Sequence, residues 1–427
     1  MSPPNSQLPT PDSQPKTQNS KLPTPHSRLK VCVLGTRGFP NVQGGVENHC
    51  EHLYPELVKM GCNVTVFTRK PYASTLDPIT YCGLALVPLP CTKSKHFEAI
   101  IHTFKGVFAA KKLKPDILHI HAIGPSLLTP LAKMLGMKVV VTHHGPDYKR
   151  AKWEWFAKLA LRIGEWAGVT FADEVITISE TIADDLKKRF GISNITVIPN
   201  GVTPLEPTTS SNYLKDMGLT KGRYILAVGR FVPEKGFHDL IEAFNMMQDN
   251  SRPQTPNSSL PTPDSQLQIP KLKLVLVGDA DHEDSYSLDL KEKARKNTNI
   301  VLTGFLTGEP LQELYSHAAL FVLPSYYEGL PIALLEAMSY GLSCIASDIP
   351  ANRIVGLSDG RYFKAGDKEG LSKNLKEFIS KPLTEEEKSA QIQRIAEQYN
   401  WEKIASKTLE VYKNTVNSPQ CSVRSSH

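Results

Sequence analysis

Short runs of β-branched and other apolar residues alternate with amphipathic stretches along most of this chain, and the alternation restarts once. A strand that is apolar along its whole length and is followed by a helix is typical of a parallel sheet covered on both faces. The predicted strands are 29–35, 63–69, 84–90, 116–122, 138–144, 174–179 and 195–201, then 223–230, 273–279, 299–304, 320–325 and 343–347. The sequence therefore predicts an α/β fold with two doubly wound, Rossmann-like domains.

The break between the two halves falls in 203–212, a stretch rich in Pro, Thr and Ser that suits an interdomain hinge. Residues 1–28 have too little apolar surface to offset chain entropy, so we expect a disordered tail. Because the sequence QLPTPDSQ of this tail returns almost unchanged as SLPTPDSQ, we interpret 249–270 as an inserted surface loop without a catalytic role. The other predicted units are an N-terminal domain (29–205), a C-terminal domain (206–385), terminal helices (386–415) and a tail (416–427).

Composition and charge narrow the classes of protein. No apolar run approaches the ~20 residues that span a membrane, and the N-terminus lacks the apolar core of a secretory signal, so we expect a cytoplasmic protein. The seven cysteines include no CxxC pair, which favours buried thiols over a metal site or a disulfide framework. A net charge of +6 is compatible with an anionic substrate or a membrane surface but requires neither. We expect no nucleic-acid partner.

The first predicted strand ends in a glycine-rich segment, GTRGFPNVQGGVE (35–47). Its glycines let the backbone approach a ligand, and the helix that follows can offer N–H groups to an anion. An NAD site is one alternative, but the spacing is not GxGxxG and the second strand ends in Thr68-Arg69 rather than in an acidic residue. A purely structural turn is the other alternative. Ligands of doubly wound sheets bind at the carboxyl ends of the strands, so two facing domains would share one cleft.

Two cations, Arg230 and Lys235, follow the first strand of the second half. At a strand end and the start of a helix, two cations can neutralise a diphosphate without a metal ion. A solvated turn is the alternative interpretation for this pair taken alone.

Two carboxylates, Glu328 and Glu336, lie in the segment PSYYEGLPIALLEAMSYG (324–341). Glu328 falls in a loop after a strand, and Glu336 lies in the helix that follows, among apolar residues. A carboxylate in such surroundings is costly unless it has partners. Sugar or ribose hydroxyls are suitable partners, and a partly exposed helical glutamate is the alternative.

Arg230, Lys235 and this pair of glutamates followed by Ala-Met together resemble the retaining family 4 glycosyltransferases of GT-B fold. The segments 143–153, 172–180 and 198–202, with the glycine-rich segment, resemble the subgroup of rhamnosyl- and related transferases of polysaccharide assembly. The resemblance implies two Rossmann-like domains facing across a cleft, the first binding the acceptor and the second a nucleotide sugar. It implies transfer of a hexose-type sugar from a nucleotide-diphosphate sugar to a glycan or lipid-linked acceptor, with retention and without a metal or other cofactor.

The resemblance also implies residue roles. Arg230 and Lys235 would bind the donor diphosphate and stabilise it as a leaving group. Glu336 would bond the ribose hydroxyls, and Glu328 would contact the transferred sugar. The remaining donor-binding residues are Gly44, Gly45, Gly329, Leu330 and Pro331. The implied catalytic residues are His144, Glu328, Arg230 and Lys235.

His144 occupies the His-Gly position of this family and would lie beside the transferred sugar. His143 competes for the role, because adjacent strand residues point to opposite faces of a sheet. We favour His144 because Gly145 follows it. His119 and His121 share one strand face near a carboxyl end, where we expect core or supporting roles. No carboxylate that could act as a covalent nucleophile is evident in the N-terminal half, so the departing diphosphate is expected to help deprotonate the acceptor.

The stretch 147–168 is basic, rich in Trp and helical in its spacing. It suits a helix that touches anionic lipid, which a lipid-linked acceptor would make useful. The alternative is a core helix packed through Trp155, Leu159 and Ile163.

Two alternatives to a transferase stay open at this point. A nucleotide-sugar epimerase or hydrolase on the same fold would form product without an acceptor. A non-catalytic nucleotide-sugar-binding protein would form none.

Overall fold

A computed structural model describes residues 28–72, 79–91, 98–149, 155–203, 207–249, 271–280 and 283–418. They form two α/β domains, each built on a mainly parallel sheet, so the predicted fold class is confirmed. Apart from Arg28 and Asp249, the disordered tail predicted at 1–28 and the insert predicted at 249–270 lie outside the described residues, and so does most of the tail predicted at 416–427. Two residues of that last segment belong to a helix that ends at Asn417.

The first domain is organised around one sheet. Its strands are β1 (Lys30–Leu34), β2 (Asn63–Arg69), β3 (Ile79–Tyr81), β4 (Leu84–Leu89), β5 (Ile117–His121), β6 (Val139–His143), β7 (Glu174–Thr177) and β8 (Ile195–Val197). Their order is β3-β4-β2-β1-β5-β6-β7-β8. Only the edge strand β3 is antiparallel among these described strands, and it is too short to stand out in the sequence. The helices are α1 (Gly45–Lys59), α2 (Glu98–Leu113), α3 (Thr129–Met134), α4 (Trp155–Phe171) and α5 (Glu180–Phe190).

The second domain repeats the plan with six parallel strands. Its strands are β9 (Tyr224–Val228), β10 (Lys273–Val277), β11 (Ile300–Gly304), β12 (Leu320–Leu323), β13 (Cys344–Ser347) and β14 (Tyr362–Phe363). Their order is β11-β10-β9-β12-β13-β14. The helices are α6 (Asn212–Asp216), α7 (Phe237–Asp249), α8 (Ser285–Arg295), α9 (Gly308–His317), α10 (Ile332–Ser339), α11 (Pro350–Arg353) and α12 (Lys368–Ser380).

The last two helices, α13 (Glu385–Gln398) and α14 (Trp401–Asn417), pack on different domains. Helix α13 packs on α10 of the second domain, whereas α14 returns to the first domain and packs on α1. The chain first passes from the first domain to the second just after Val202, whose N–H donates to the Tyr399 carbonyl at 2.8 Å. Gly201 makes this approach feasible, because a Cβ there would lie 2.4 Å from the Trp401 ring. The two connections between the domains therefore run side by side.

Helix α4 has an inner face of small residues and an outer face of large apolar ones. Gly164 packs so closely that a Cβ would lie 2.2 Å from the Ile123 carbonyl oxygen. The exposed large apolar residues of α4 are Trp155, Phe156, Leu159, Ile163 and Trp166. The alternative in which Trp155, Leu159 and Ile163 pack a core is therefore wrong, since 78%, 50% and 44% of their respective surfaces are exposed.

Candidate active site in the interdomain cleft

The carboxyl ends of both sheets line one cleft between the domains, with a volume of about 800 Å³. Nine of the ten residues predicted for the site line it, and they come from both domains. These residues are Gly44, Gly45, His144, Arg230, Lys235, Glu328, Gly329, Leu330 and Glu336. Pro331 lies at the N-terminus of α10, where it precedes the first helical residue. The strand pattern therefore brings sequence-distant residues to one place.

Lys235 and Glu328 form an ion pair in the second-domain wall of the cleft. Lys235 ends a 3₁₀ turn after β9, and its Nζ lies 2.6 Å from Oε1 of Glu328. The Ser325 hydroxyl donates to the same oxygen at 2.6 Å. From the sequence we expect Lys235 and Glu328 to contact different parts of the donor, whereas in the structure they contact each other. An incoming diphosphate would therefore compete with Glu328 for Lys235.

The Lys235 turn is held against the 324–331 loop by close backbone packing. Gly236 has φ of +67°, and a Cβ there would lie 2.2 Å from the Pro324 carbonyl oxygen. The Tyr326 N–H donates to the Glu234 carbonyl at 2.9 Å. Only glycine satisfies both the backbone angle and this approach, which explains the Lys-Gly dipeptide.

Glu336 is the fifth of the eight residues of the short helix α10, and its side chain is partly exposed to the cleft. The Tyr315 hydroxyl donates to its Oε2 at 3.0 Å. Burial raises the pKa of Glu336 to about 7, against the opposing effect of Tyr315. Because Tyr315 occupies only one acceptor position of this carboxylate, Glu336 can still accept hydrogen bonds from the hydroxyl groups of a ligand in the cleft.

The glycine-rich loop of the first domain is braced by a buried ion pair. Arg37 donates to Oε1 of Glu47 through both its backbone N–H and Nε, each at 3.1 Å. A Cβ at Gly44 would lie 2.0 Å from Oε2 of Glu47. A carboxylate of the chain itself therefore lies against the start of α1, and it uses part of the anion-binding capacity that the sequence assigns to this helix N-terminus.

His143 and His144 have different environments. Nδ1 of His143 accepts the Gly145 N–H at 3.1 Å, so its Nε2 carries a proton, which it donates to Oε1 of Glu165 at 2.9 Å. The other oxygen of Glu165 accepts from Arg189 at 2.8 Å. His143 is thus engaged inside the first domain, and His144 is the one that lines the cleft.

His144 rests on a group of buried rings. Its Nε2 lies 3.0 Å from Nδ1 of His121, and Nε2 of His121 lies 2.5 Å from the Tyr54 hydroxyl. Burial, with the neighbours His119 and His143, lowers the pKa of His144 to about 3. The ring is therefore neutral near pH 7 and can exchange hydrogen bonds with a sugar hydroxyl rather than act as a cation.

Sequence reasoning did not single out three residues that lie at the cleft or beneath its floor. His49 belongs to the ring group and packs against both His121 and His144. Helical spacing from Gly45 could have placed it on the same face of α1. Glu51 and Asp147 line the first-domain side of the cleft, so this side carries carboxylates, and the expectation that none of them acts as a covalent nucleophile stays a prediction.

The two domains touch across the cleft. A Cβ at Gly329 would lie 2.4 Å from the His144 carbonyl oxygen, and one at Gly145 would lie 3.1 Å from the Tyr327 hydroxyl. The Thr307 hydroxyl donates to Oδ1 of Asn41 at 3.4 Å. The turn that carries His144 therefore lies directly against the loop that carries Glu328, which places the two predicted sugar contacts on facing walls.

Both halves of the chain match known sequence families. Residues 43–204 match Glycosyltransferase Family 4, and residues 212–399 match Glycosyl transferases group 1. The chain belongs to these two-domain glycosyltransferases. The match covers nearly all the elements that build the cleft, and it favours a transferase over the epimerase, hydrolase and non-catalytic alternatives.

This glycosyltransferase is similar to several known proteins. It is 25% identical to the alpha-maltose-1-phosphate synthase of Mycolicibacterium smegmatis, over 90% of this chain and 99% of that protein. It is 29% identical to an Escherichia coli UDP-Gal:alpha-D-GlcNAc-diphosphoundecaprenol alpha-1,3-galactosyltransferase, over 60% of this chain and 63% of that protein. The structure of Anabaena HepE in complex with UDP-glucose aligns with a TM-score of 0.71 at 18% identity, covering 91% of this chain and 100% of that one. This last likeness concerns the GT-B fold.

Among the described residues of the glycosyltransferase, no helix is both long and apolar enough to cross a membrane.

Proposed function

We propose that this glycosyltransferase moves a hexose-type sugar from a nucleoside-diphosphate sugar to a glycan or lipid-linked acceptor, with retention of anomeric configuration. The observation that carries the proposal is the convergence of Arg230, Lys235 and Glu328 opposite His144 in one cleft. Cations on one wall suit a departing diphosphate, and a neutral imidazole on the other suits a sugar hydroxyl.

In the proposed mechanism the donor diphosphate displaces Glu328 from Lys235. Arg230 and Lys235 then stabilise the negative charge that develops as the bond from the anomeric carbon to the diphosphate oxygen breaks. The acceptor oxygen bonds to the same face of that carbon, and its proton passes to the departing diphosphate. Glu328 and His144 orient the sugar from opposite walls, since the two loops that carry them touch.

Metal independence at the diphosphate is part of the proposal. Two side-chain cations supply the charge that a divalent ion supplies in other nucleotide-sugar sites. Transfer should therefore continue in a chelator, and complete loss of transfer there would contradict the proposal.

We infer a UDP-sugar as the first donor to test. The proteins similar to this chain include one solved with UDP-glucose and one named for UDP-Gal. We infer that Glu336 bonds the ribose hydroxyls of this donor, since it is a carboxylate that lines the cleft.

The exposed face of α4 supports contact with a membrane surface, where a lipid-linked acceptor would be presented. Trp155, Phe156 and Trp166 are the aromatic residues of this face, and such rings suit the headgroup region. Lys149, Arg150 and Lys152 are the basic residues of 147–168 that we expect to contact lipid, and the last two of them lie outside the described residues. Liposome cosedimentation that is unchanged by replacing Trp155 and Phe156 with Ser would reject this contact.

The decisive experiment is a transfer assay with and without an acceptor. Nucleoside-diphosphate release that depends on the acceptor and yields a glycosylated product supports a transferase. Product formed equally well without an acceptor would instead support the hydrolase or epimerase alternative.

A further inference from the structure

Three histidines from three different elements meet beneath the floor of the cleft. His49 lies on α1, His121 ends β5, and His144 follows β6. One ring nitrogen from each lies within 4.8 Å of those of the other two. The closest pair, Nε2 of His144 and Nδ1 of His121, is 3.0 Å apart. Nitrogens bound at about 2.0–2.1 Å to one tetrahedral ion lie roughly 3.4 Å apart, so this pair already has nearly the required spacing.

His49 and Asn200 have hydrogen-bonding capacity left for a ligand. Both side chains are buried, and neither Nδ1 of His49 nor Oδ1 of Asn200 makes a hydrogen bond of good geometry among the described residues. The two side chains lie close enough to interact with each other. Buried polar atoms that are only partly satisfied are costly, and these two border the same group of rings.

The three rings pack directly against one another. The ring centroids of His49 and His144 are 5.0 Å apart, those of His121 and His144 are 5.3 Å apart, and those of His49 and His121 are 5.5 Å apart. Imidazoles bind transition metals through a free ring nitrogen, and this packing brings one nitrogen of each ring towards a common point.

We propose that His49, His121 and His144 form a binding site for one borderline transition-metal ion, for which Zn²⁺ is the representative. A donor set of imidazoles selects such an ion over Mg²⁺ or Ca²⁺, which prefer oxygen. Three protein ligands leave a fourth position open, as in many zinc sites. On binding, the proton shared between His121 and His144 moves to the other nitrogen of its own ring, so no charge is lost or gained by the histidines.

Tyr54 completes the geometry, because its hydroxyl lies 2.5 Å from Nε2 of His121, the nitrogen that would not bind the ion. Histidine ligands almost always have such a hydrogen-bonded partner. The expectation of no metal site rests on the cysteines and on the cations that bind the diphosphate, whereas the fold brings His49 to His121 and His144.

An ion bound at this site would inhibit transfer, and this consequence rests on the proposed function. His144 is shared between the ring group and the cleft wall. An ion that engages its Nε2 would fix the ring beneath the floor and remove it from the sugar. Zn²⁺ should therefore inhibit transfer competitively with the donor sugar, while the diphosphate cations, Arg230 and Lys235, keep their places.

The test measures Zn²⁺ binding to the full chain by titration calorimetry, and Co²⁺ binding by visible absorption, both without nucleotide or acceptor. We expect one ion per chain and a Co²⁺ spectrum without a thiolate charge-transfer band. Losing an outer hydrogen-bond partner costs about 10–100-fold in affinity, so Tyr54→Phe should weaken binding by that factor and His49→Phe by more. His52→Phe is the matched control, because His52 is on the same helix and stacks on Trp401 outside the three-histidine group.

Three results would overturn the site: no Zn²⁺ binding to the wild-type chain, equal affinity in wild type and His49→Phe, or a Co²⁺ spectrum with thiolate bands. If His49→Phe does not fold, Tyr54→Phe and the wild-type spectrum still decide. Because binding is read without substrates, a failure of the transferase proposal leaves this test intact.

Discussion

Replacing Glu336 by Gln should stabilise the protein at alkaline pH and weaken nucleotide binding. The pKa of Glu336 is raised from 4.5 to about 7 by burial. Below pH 4.5 the carboxyl is protonated in both folded and unfolded chains, so it has no effect on their balance. Between pH 4.5 and 7 the folded state binds more protons than the unfolded state, so the stability falls as pH rises and stays lower above pH 7.

The magnitude follows from the size of the shift. At about 1.36 kcal/mol per pKa unit, keeping Glu336 ionised in the fold costs about 3 kcal/mol above pH 7. Gln has no charge to bury and can still accept the Tyr315 hydroxyl. The variant should therefore unfold roughly 6–12 °C higher than wild type at pH 8, and at nearly the same temperature at pH 4.5.

The assay combines thermal unfolding at a series of pH values with calorimetric titration of UDP. If the ionised carboxylate bonds the ribose, Gln should weaken UDP binding about 10-fold at pH 8, since hydrogen bonds to charged groups are stronger by roughly that amount. Wild-type affinity should fall between pH 8 and 6, and that of the variant should not. Equal melting temperatures for both proteins at pH 8, or unchanged UDP affinity, would refute the reasoning.

Other predictions concern the remaining parts of the cleft and the α4 surface. Lys235→Ala should lower kcat/KM about 100–1,000-fold, the usual cost of losing one preorganised hydrogen-bond donor to a developing negative charge. Lys133→Ala is its matched control, because Lys133 forms an ion pair of the same 2.6 Å length with Asp173 outside the cleft. Equal losses of activity in the two variants would contradict the role of Lys235. Asp147→Asn should keep most transfer activity, since retention is proposed to proceed without a carboxylate nucleophile; loss of transfer with rescue by azide would show that Asp147 is such a nucleophile. Gly329→Ala should lower transfer more than nucleotide binding, because its Cβ would press on the His144 carbonyl, and a fully active variant would argue against close contact of the two loops. Replacing Trp155 and Phe156 with Ser should reduce cosedimentation with anionic liposomes while leaving transfer to a soluble acceptor unchanged.

Sequence patterns predict the sheets because both are built from strands that are apolar along their whole length. All twelve predicted runs contain a strand, and the two strands that were missed, β3 and β14, are three and two residues long. A strand this short carries no readable alternation, and its pairing depends on neighbours that are distant in sequence. The return of α14 to the first domain is hidden for the same reason, since nothing in 401–417 says which domain its apolar face covers.

The composition of the candidate site is easier to predict than its internal contacts. Motif spacing and the strand-end rule bring Arg230, Lys235, Glu328 and Glu336 to one edge of the second sheet. That Lys235 and Glu328 pair with each other depends on how two loops pack around Gly236, which spacing does not encode. The sequence does not decide which face of α4 is exposed, because a helix can bury either its large apolar residues or its glycines, and α4 buries its glycines.

The central claim is that the cleft binds a nucleoside-diphosphate sugar through the second-domain cations. It is tested most directly by a thermal-shift screen of UDP-, GDP-, TDP- and ADP-sugars against wild type, Lys235→Ala and Lys133→Ala. The account predicts that at least one donor raises the melting temperature of wild type and of Lys133→Ala, and that the shift disappears in Lys235→Ala. No shift with any donor, or an undiminished shift in Lys235→Ala, would contradict it.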